Sequence, residues 1–137
     1  MRTDTPRSRG IAIAPGGAYS LAYEVTGPAR TLYIGGQIPV APDGSAPEGI
    51  EAQARQVWAN IDHLLAQAGM EPRDLVKVTT YLSDRKYREV NARVRREVLG
   101  EHLPTLTIII TGIYDPAWLL EIEAVASRPL MPEEVAR

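Results

Sequence analysis

The sequence predicts a single α+β domain in which strands alternate with two helices. A chain of 137 residues is long enough for one domain with a substantial core but short for two. Two segments, 50–68 and 85–99, have helical periodicity. Short apolar runs typical of strands lie at 19–25, 31–36, 75–82, 105–113 and 119–126. Because helices and strands are interleaved, we expect both helices on one face of one mixed sheet.

The helix over residues 50–68 is the clearest single element. Its apolar side chains recur every three to four positions, at Ile50, Ala54, Val57, Ile61, Leu64, Leu65 and Ala68. Gly69 follows directly, as is typical of a helix C-terminus. The second helix carries its apolar stripe at Tyr87, Val90, Val94 and Val98. The domain is expected to span residues 1–137, with residues 1–10 flexible.

The predicted helices leave one face of the sheet uncovered. The sequence predicts no third helix, and several strands are apolar on both sides. Exposed apolar surface of that size drives association. A closed homo-oligomer that packs sheet to sheet would cover it.

The last predicted strand, LLEIEAVA, carries two carboxylates on one side. Strand side chains alternate between faces, so Glu121 and Glu123 share a face and lie roughly 7 Å apart. In a cleft that excludes water, such a carboxylate can act as a general acid or base, or hold an attacking water. The alternative is a structural carboxylate that accepts hydrogen bonds from backbone amides or from a neighbouring subunit. The residues alone favour the structural interpretation.

Composition excludes several classes of function. The chain has no cysteine, which removes disulfides, thiol nucleophiles and thiolate metal sites and fits a reducing cytoplasm. No apolar segment follows the basic N-terminus, and no aliphatic run could span a membrane, so we expect neither a signal peptide nor a membrane association. The net charge of −2 and the pI near 5.7 are unlike those of most nucleic-acid binders.

Metal, cofactor and RNA signals are weak. His63 and His102 are isolated, and the two double glycines do not form a phosphate loop, so no metal and no cofactor is expected. The second helix contains six basic residues. Two of them belong to a series of opposite charges at i,i+4 spacing, formed by Arg85, Glu89, Arg93 and Glu97. This series predicts an ion-paired, solvated face, and no aromatic platform for bases interleaves with it. RNA binding is therefore the least favoured function.

Several segments between about Gly17 and Ser127 form a recognisable pattern: AYSLAYEV, YIGGQIPVAPDG, the helix-strand segment from 51 to 84, EVN and EIEAVA. Together they resemble the RidA family, also called YjgF or L-PSP endoribonuclease-like. It implies a chorismate-mutase-like fold and a homotrimer with three clefts between subunits. It also implies hydrolysis of reactive enamines and imines to keto acids with release of ammonia.

The resemblance also implies site residues. The catalytic Glu of the family matches Glu123 and its loop Tyr matches Tyr19, while the remaining matches are substrate-binding candidates at Gly36, Gln37 and Asn91. Asn91 is interpreted as bracing the cleft loop, because a buried amide needs hydrogen bonds. Three further candidates come from their predicted place beside the cleft: Glu121 as a second carboxylate, Trp118 as a stacking surface, and Leu106 as an apolar wall. For Trp118 and its neighbour Tyr114, interface packing is the alternative, and for Glu121 the alternative is an interface or salt-bridge role.

Leu106 is the main departure from the family pattern. The deaminases carry an Arg two residues after the Pro that opens the penultimate strand, and that Arg binds the substrate carboxylate. Here Pro104 is followed by Thr105 and Leu106. A guanidinium holds a carboxylate through two charge-assisted hydrogen bonds, whereas Leu offers none. The sequence leaves open whether another arginine, such as Arg30 or Arg128, reaches the cleft.

The predicted function is therefore a cofactor-free hydrolase, deaminase or tautomerase that acts on an enamine, an imine or a related C–N intermediate. Leu106 argues against simple 2-imino acids held in the usual way. The competing interpretation is a non-catalytic trimer whose clefts bind a small metabolite, or a partner-binding scaffold.

Overall fold

The computed structural model describes residues 7–135, which fold into one sheet and three helices. The strands are β1 Arg7–Ile13, β2 Ser20–Thr26, β3 Ala29–Gln37, β4 Leu75–Leu82, β5 Thr105–Ile110 and β6 Leu120–Pro129. The helices are α1 Ile50–Gln67, α2 Arg88–Leu99 and the one-turn α3 Pro132–Val135, with short 3-10 turns at Pro72–Asp74 and Arg85–Tyr87. The α+β prediction is confirmed.

The sheet is mixed, with strand order β1-β2-β5-β4-β6-β3. β4 and β5 run parallel and are joined by α2, which therefore runs in the opposite direction to both. β6 and β3 extend the sheet in antiparallel pairs on one side. On the other side, β5 pairs with β2 only at Ser20 and Thr105, so most of that edge of β5 is open.

The core lies between the sheet and the two long helices. α1 packs over β3 and β6, and α2 packs beside α1. The fully buried side chains include Ile61 and Leu65 of α1, Val94 of α2, and Val78 and Ile122 of the sheet. Burial of each such side chain stabilises the fold by about 1.5–3 kcal/mol. The helical stripe predicted for α1 is the one that faces this core.

Arg30 and Arg128 both lie at the C-terminal end of α1. Arg30 donates a hydrogen bond to the carbonyl of Ala68, and Arg128 donates one to the carbonyl of Gly69. Cations at this position complement the partial negative charge of the helix terminus. Within one chain, therefore, these two guanidinium groups stabilise the end of a helix.

Several element boundaries differ from the prediction. The strand predicted over 105–113 ends at Ile110, and the second helix begins with a 3-10 turn in which the Asp84 side chain accepts a hydrogen bond from the Lys86 amide. β1 and α3 were not predicted. Residues 7–10 of the segment expected to be flexible form the start of β1, and residues 1–6 lie outside the described part. None of the described helices is long and apolar enough to cross a membrane.

Candidate functional site

The two carboxylates of β6 project from the face of the sheet opposite the helices. Leu120, Ile122 and Ala124 are buried in the core, while Glu121 is half-buried and Glu123 is exposed. The alternation predicted for this strand is therefore confirmed. We call this helix-free side of the sheet, carrying Tyr33, Thr79, Tyr81, Glu121 and Glu123, the open face.

Two adjoining concavities occupy the open face. The larger, of about 350 Å³, is lined by side chains of β3, β4 and β6, among them Tyr33, Lys77, Thr79 and Glu123. The smaller, of about 240 Å³, is lined by Tyr81, Tyr114, Glu121 and Glu123 with the backbone after β5. Glu123 lines both concavities. Its carboxylate is therefore accessible to a small molecule in either one.

Tyr81 is the hydrogen-bond partner of Glu123. The Tyr81 hydroxyl donates to Glu123 Oε1 at 2.8 Å. This hydrogen bond is the main reason that the pKa of Tyr81 is raised above its ordinary value, with desolvation and the charges of Glu123 and Glu121 adding to it. Tyr81 therefore keeps its proton at neutral pH and orients the carboxylate. Tyr81 was not among the predicted site residues. It lies on the open face because side chains alternate along β4 and because Tyr81 pairs with Glu121 of β6.

Glu121 lies directly over Gly36. A Cβ atom built on Gly36 would come within 1.9 Å of Glu121 Oε2, so only glycine leaves room for the carboxylate. The neighbouring Gln37 donates from its side-chain amide to the carbonyl of Gly35 at 3.1 Å. Gly36 and Glu121 thus lie together, with Gln37 beside them along β3.

The remaining predicted residues lie elsewhere. Leu106 belongs to the helix-covered side of the sheet, where it packs against the core. Asn91 is 1% exposed on α2, and neither its Oδ1 nor its Nδ2 has a hydrogen-bond partner. No hydrogen bond therefore supports the interpretation that Asn91 braces the cleft loop.

Tyr19 ends a glycine-rich turn next to the start of β5. The following Ser20 donates from its amide to the Pro104 carbonyl at 3.1 Å and from its hydroxyl to the Leu103 carbonyl at 2.6 Å. These bonds hold Tyr19 near the end of β5 that carries Leu106. Trp118 lies in the turn before β6, half-buried, between two backbone groups that hydrogen-bond to the Gln53 side chain of α1.

The predicted site residues therefore form two groups. Gly36, Glu121 and Glu123 share the open face, whereas Asn91 and Leu106 lie on the side of the helices, with Tyr19 at the edge of β5. The sheet separates the two groups within one chain. A single copy does not bring them into one pocket.

Among the basic residues of α2, Arg93 is the one that forms ion pairs within residues 7–135, and its shorter contact is to α1. Arg93 contacts Glu51 of α1 at 2.8 Å and Glu97 at 4.0 Å, and Arg55 of α1 contacts Glu97 at 2.8 Å. Arg85, which was predicted to join this series, takes part in none of the ion pairs found within residues 7–135. Of the predicted series, the described residues retain the Arg93–Glu97 contact, while the shorter ion pairs join α1 and α2. In the same part of the chain, no cluster of three His, Asp or Glu side chains could hold a metal ion.

The fold is that of the Rid class of small α+β proteins. The crystal structure of YyfB from Yersinia pestis, a Rid family protein, aligns with 88% of this chain and 98% of its own, with a TM-score of 0.76 and 28% identity. The family model described as Endoribonuclease L-PSP matches residues 10–128. The chain belongs to this family.

Two relatives from other organisms are similar in sequence. A RutC family protein of Aquifex aeolicus is 42% identical over 82 residues, which cover 58% of this chain and 63% of that protein, somewhat less than two thirds of its length. An Escherichia coli protein named "Putative reactive intermediate deaminase TdcF" is 30% identical over 101 residues, or 71% of this chain and 78% of that one. The family resemblance seen in the sequence is confirmed.

Proposed function

We propose that this protein is a cofactor-free hydrolase, deaminase or tautomerase that acts on an enamine, an imine or a related C–N intermediate. The observation that carries the proposal is the Glu121–Glu123 pair, with Tyr81 bonded to Glu123, in an accessible concavity of the open face. The name of the Escherichia coli relative, a reactive intermediate deaminase, supports the same chemistry.

The reaction needs only proton transfers and water. An enamine first takes a proton at carbon and becomes an iminium ion. Water then adds to the iminium carbon while a base removes one of its protons, which gives a carbinolamine. An acid next protonates the nitrogen and a base removes the hydroxyl proton, so that ammonia leaves and a carbonyl remains. A carboxylate can perform these transfers in turn. We assign this role to Glu123, with Tyr81 orienting it, and we assign Tyr19, Gly36, Gln37 and Trp118 to the walls of the site.

We further propose that the working site lies between subunits of a homotrimer. The two groups of site residues lie on opposite sides of one sheet, so a second copy has to supply one of them. The open face and the free edge of β5 carry exposed apolar side chains that contact between copies would cover, including Tyr33, which is 79% exposed, and Ile108, Ile109 and Ile110. In this arrangement the open face of one subunit meets the edge of β5 of the next.

The test is keto-acid formation from an enamine or imine generated in situ, above the uncatalysed rate. We expect Glu123→Gln to abolish turnover while the oligomer persists in size-exclusion chromatography. Glu121→Gln is the matched variant, because it removes the neighbouring charge on the same strand face. If Glu121→Gln abolishes turnover and Glu123→Gln does not, the acid/base role belongs to Glu121. If neither affects turnover, the proposal fails.

The second candidate is a trimer that binds a metabolite or a partner protein without catalysis. The exposed aromatic side chains around the concavities favour it, since Tyr114 is 96% exposed and could stack on a planar ligand. Saturable binding without product, unaffected by Glu123→Gln, would support this candidate over the enzyme.

A further inference from the structure

Arg95 is a buried cation without a counter-ion. Its side chain is only 5% exposed on α2, and its Nη1 atom has no hydrogen-bond partner. None of the ion pairs found between residues 7 and 135 includes it. Desolvation is the main reason that its pKa is lowered, and the nearby charge of Arg96 lowers it further. Because a guanidinium remains protonated in proteins, the fold bears an uncompensated buried charge.

Asn91 stands beside Arg95 and is also unpartnered. Residues four apart lie one above the other on a helix, so the two side chains share a face of α2. Both polar atoms of the Asn91 amide lack a partner, and so does the hydroxyl of Thr80, which is buried on the helix-covered side of β4. Unpaired buried groups are rare in folded proteins because each costs free energy. Unpaired groups also occur at Ser8, Trp58 and Ser127, but Asn91 and Arg95 share one helix face, so that this pair offers donors to a polar ligand.

The direction of α2 puts Arg95 at the level of Leu106. Near its N-terminus, Arg88 lines a cavity of about 330 Å³ with Leu82 and Ile110 at the far ends of β4 and β5. Arg95 is seven residues further along α2, or roughly 10 Å along its axis. Because β5 runs antiparallel to α2, the same distance corresponds to about three residues counted back from Ile110. That position is next to Leu106.

The edge of β5 at this level is accessible. β2 pairs with β5 only at Thr105, so from Leu106 onward no strand of the described chain covers it. The helix-facing side chains there are apolar, at Leu106 and Ile108. Arg30 and Arg128, the other arginines considered for the cleft, bond to the end of α1.

We propose that Arg95, assisted by Asn91, binds the carboxylate of a small acidic ligand whose apolar body lies against Leu106 and Ile108. This inference rests on the proposed function, because it takes the cleft at the edge of β5 as the substrate site. It narrows the substrate to an anionic enamine or imine with an apolar tail, held from α2 instead of from β5. Arg95 forms two parallel hydrogen bonds to the carboxylate, and the Asn91 amide donates a third.

The experiment measures equilibrium binding to the intact oligomer, so it does not depend on turnover. The probes are the branched keto acid α-ketoisocaproate, which has the chemistry of the proposed product class, and its neutral primary amide. Arg95→Met removes the charge and keeps most of the volume. Arg96→Met is the matched control, since Arg96 is the next residue and is exposed.

We expect wild type and Arg96→Met to bind the keto acid more tightly than the amide. Arg95→Met should weaken binding of the keto acid by about tenfold or more and leave the amide unchanged, because a charge-assisted contact is lost. The Asn91 side-chain amide signal in NMR should shift on addition of the keto acid only in proteins that retain the charge. Arg95→Lys, which keeps the charge but loses the planar fork, should bind with intermediate affinity.

A purely structural role for Arg95 predicts a lower melting temperature for Arg95→Met, whereas a ligand anchor predicts an equal or higher one, since the unpaired charge is gone. The proposal is overturned if Arg95→Met binds the keto acid within about twofold of wild type, or if wild type does not prefer the acid to the amide. If Arg95 proves not to bind the carboxylate but Glu123→Gln still abolishes turnover, the proposed reaction is supported and its substrate is neutral. If the keto acid binds as expected but no turnover is detected, the protein is a binding protein for small carboxylates.

Discussion

The two faces of the sheet come from the same strands but carry opposite kinds of residues. Along β4, Val78 and Leu82 are fully buried under the helices, while Thr79 and Tyr81 point to the open face. Along β6, Ile122 belongs to the core and Glu123 to the concavities. Because strand side chains alternate, one set of strands can hold the fold together and present chemistry at the same time. Substitutions on the two faces should therefore affect different properties.

The helix-covered side has its own exception. Asn91 and Arg95 lie among the core residues of α2, but they are polar and have unpaired atoms. They are polar like the residues of the open face and buried like the residues of the core. The comparison thus separates three kinds of position: apolar core residues, acids of the open face, and buried polar residues of α2. The following predictions test this division, from the largest expected effect to the smallest.

The largest effect is expected at Glu123. Glu123→Gln keeps the shape of the side chain and removes the proton-transfer group, so turnover should fall by about a hundredfold or more. The melting temperature should stay close to that of wild type, because Glu123 is exposed. Glu48→Gln, at an exposed loop position, is the control for loss of one negative charge. A large loss of stability in Glu123→Gln would contradict the division between the faces.

The opposite pattern is expected in the core. Ile61 of α1 is fully buried, and Ile61→Ala should lower the free energy of unfolding by about 2–5 kcal/mol, measured by urea denaturation. The fraction of protein that remains folded should still bind ligand with unchanged affinity. An affinity loss as large as that of an open-face variant would show that the covered side also shapes the site at this point.

An intermediate effect is expected at Gly36. In Gly36→Ala the new Cβ would meet the Glu121 carboxylate, so that carboxylate has to move. We expect turnover to fall by about tenfold, since a displacement of about 1 Å is enough to disturb catalytic geometry. Gly35→Ala is the matched control, because no atom lies within 4 Å of the Cβ position at Gly35. Equal effects of the two substitutions would mean that glycine is needed for another reason.

A smaller effect is expected at Tyr81, and it carries a pH signature. The hydrogen bond to Glu123 raises the pKa of Tyr81, so its phenol ionises only at a pH above that of an ordinary tyrosine. In Glu123→Gln this shift should be reduced, and Tyr81 should ionise at lower pH than in wild type. Absorbance titration of tyrosinate, with Tyr81→Phe to assign the signal, checks the direction. An unchanged titration would show that Glu123 does not hold the Tyr81 proton in solution.

The smallest effect is expected on the outer surface of the helices. Arg93 and Glu51 form an exposed ion pair between α2 and α1. Arg93→Gln should change the free energy of unfolding by no more than about 1 kcal/mol, and less at high salt. Turnover and ligand binding should be unchanged. RNA affinity that falls with this variant would instead reopen the nucleic-acid interpretation.

Much of the fold was predictable because it depends on local patterns. Periodicity identified α1, β4 and β6, whose side chains repeat every 3.6 or two residues. β1 was missed because RSRGIAI has polar residues at its start, and its strand conformation comes from pairing with β2. β5 was predicted too long because residues 111–113 were assigned to it, whereas the strand ends at Ile110 and the Thr111 amide makes a final hydrogen bond to the Leu82 carbonyl of β4.

The site was predictable only in part, for a different reason. Alternation put Glu121 and Glu123 on one face, but nothing local distinguished Tyr81 from a packing residue. The burial of Arg95 is the opposite of what its residue type suggests, since arginine in an amphipathic helix is normally assigned to solvent. The separation of the two groups of site residues depends on the strand order, which the sequence did not predict.

The measurement that tests the central claim most directly is complementation between two inactive variants. Glu123→Gln removes a residue of the open face, and Tyr19→Ala removes one at the edge of β5. If a cleft takes its open face from one subunit and its β5 edge from the next, oligomers reassembled from equal amounts of both variants should regain about a quarter of the wild-type rate, because random assembly unites two intact groups in that share of clefts. If both groups acted within one chain, every cleft would contain a defect. No recovery of activity on mixing would therefore contradict the account.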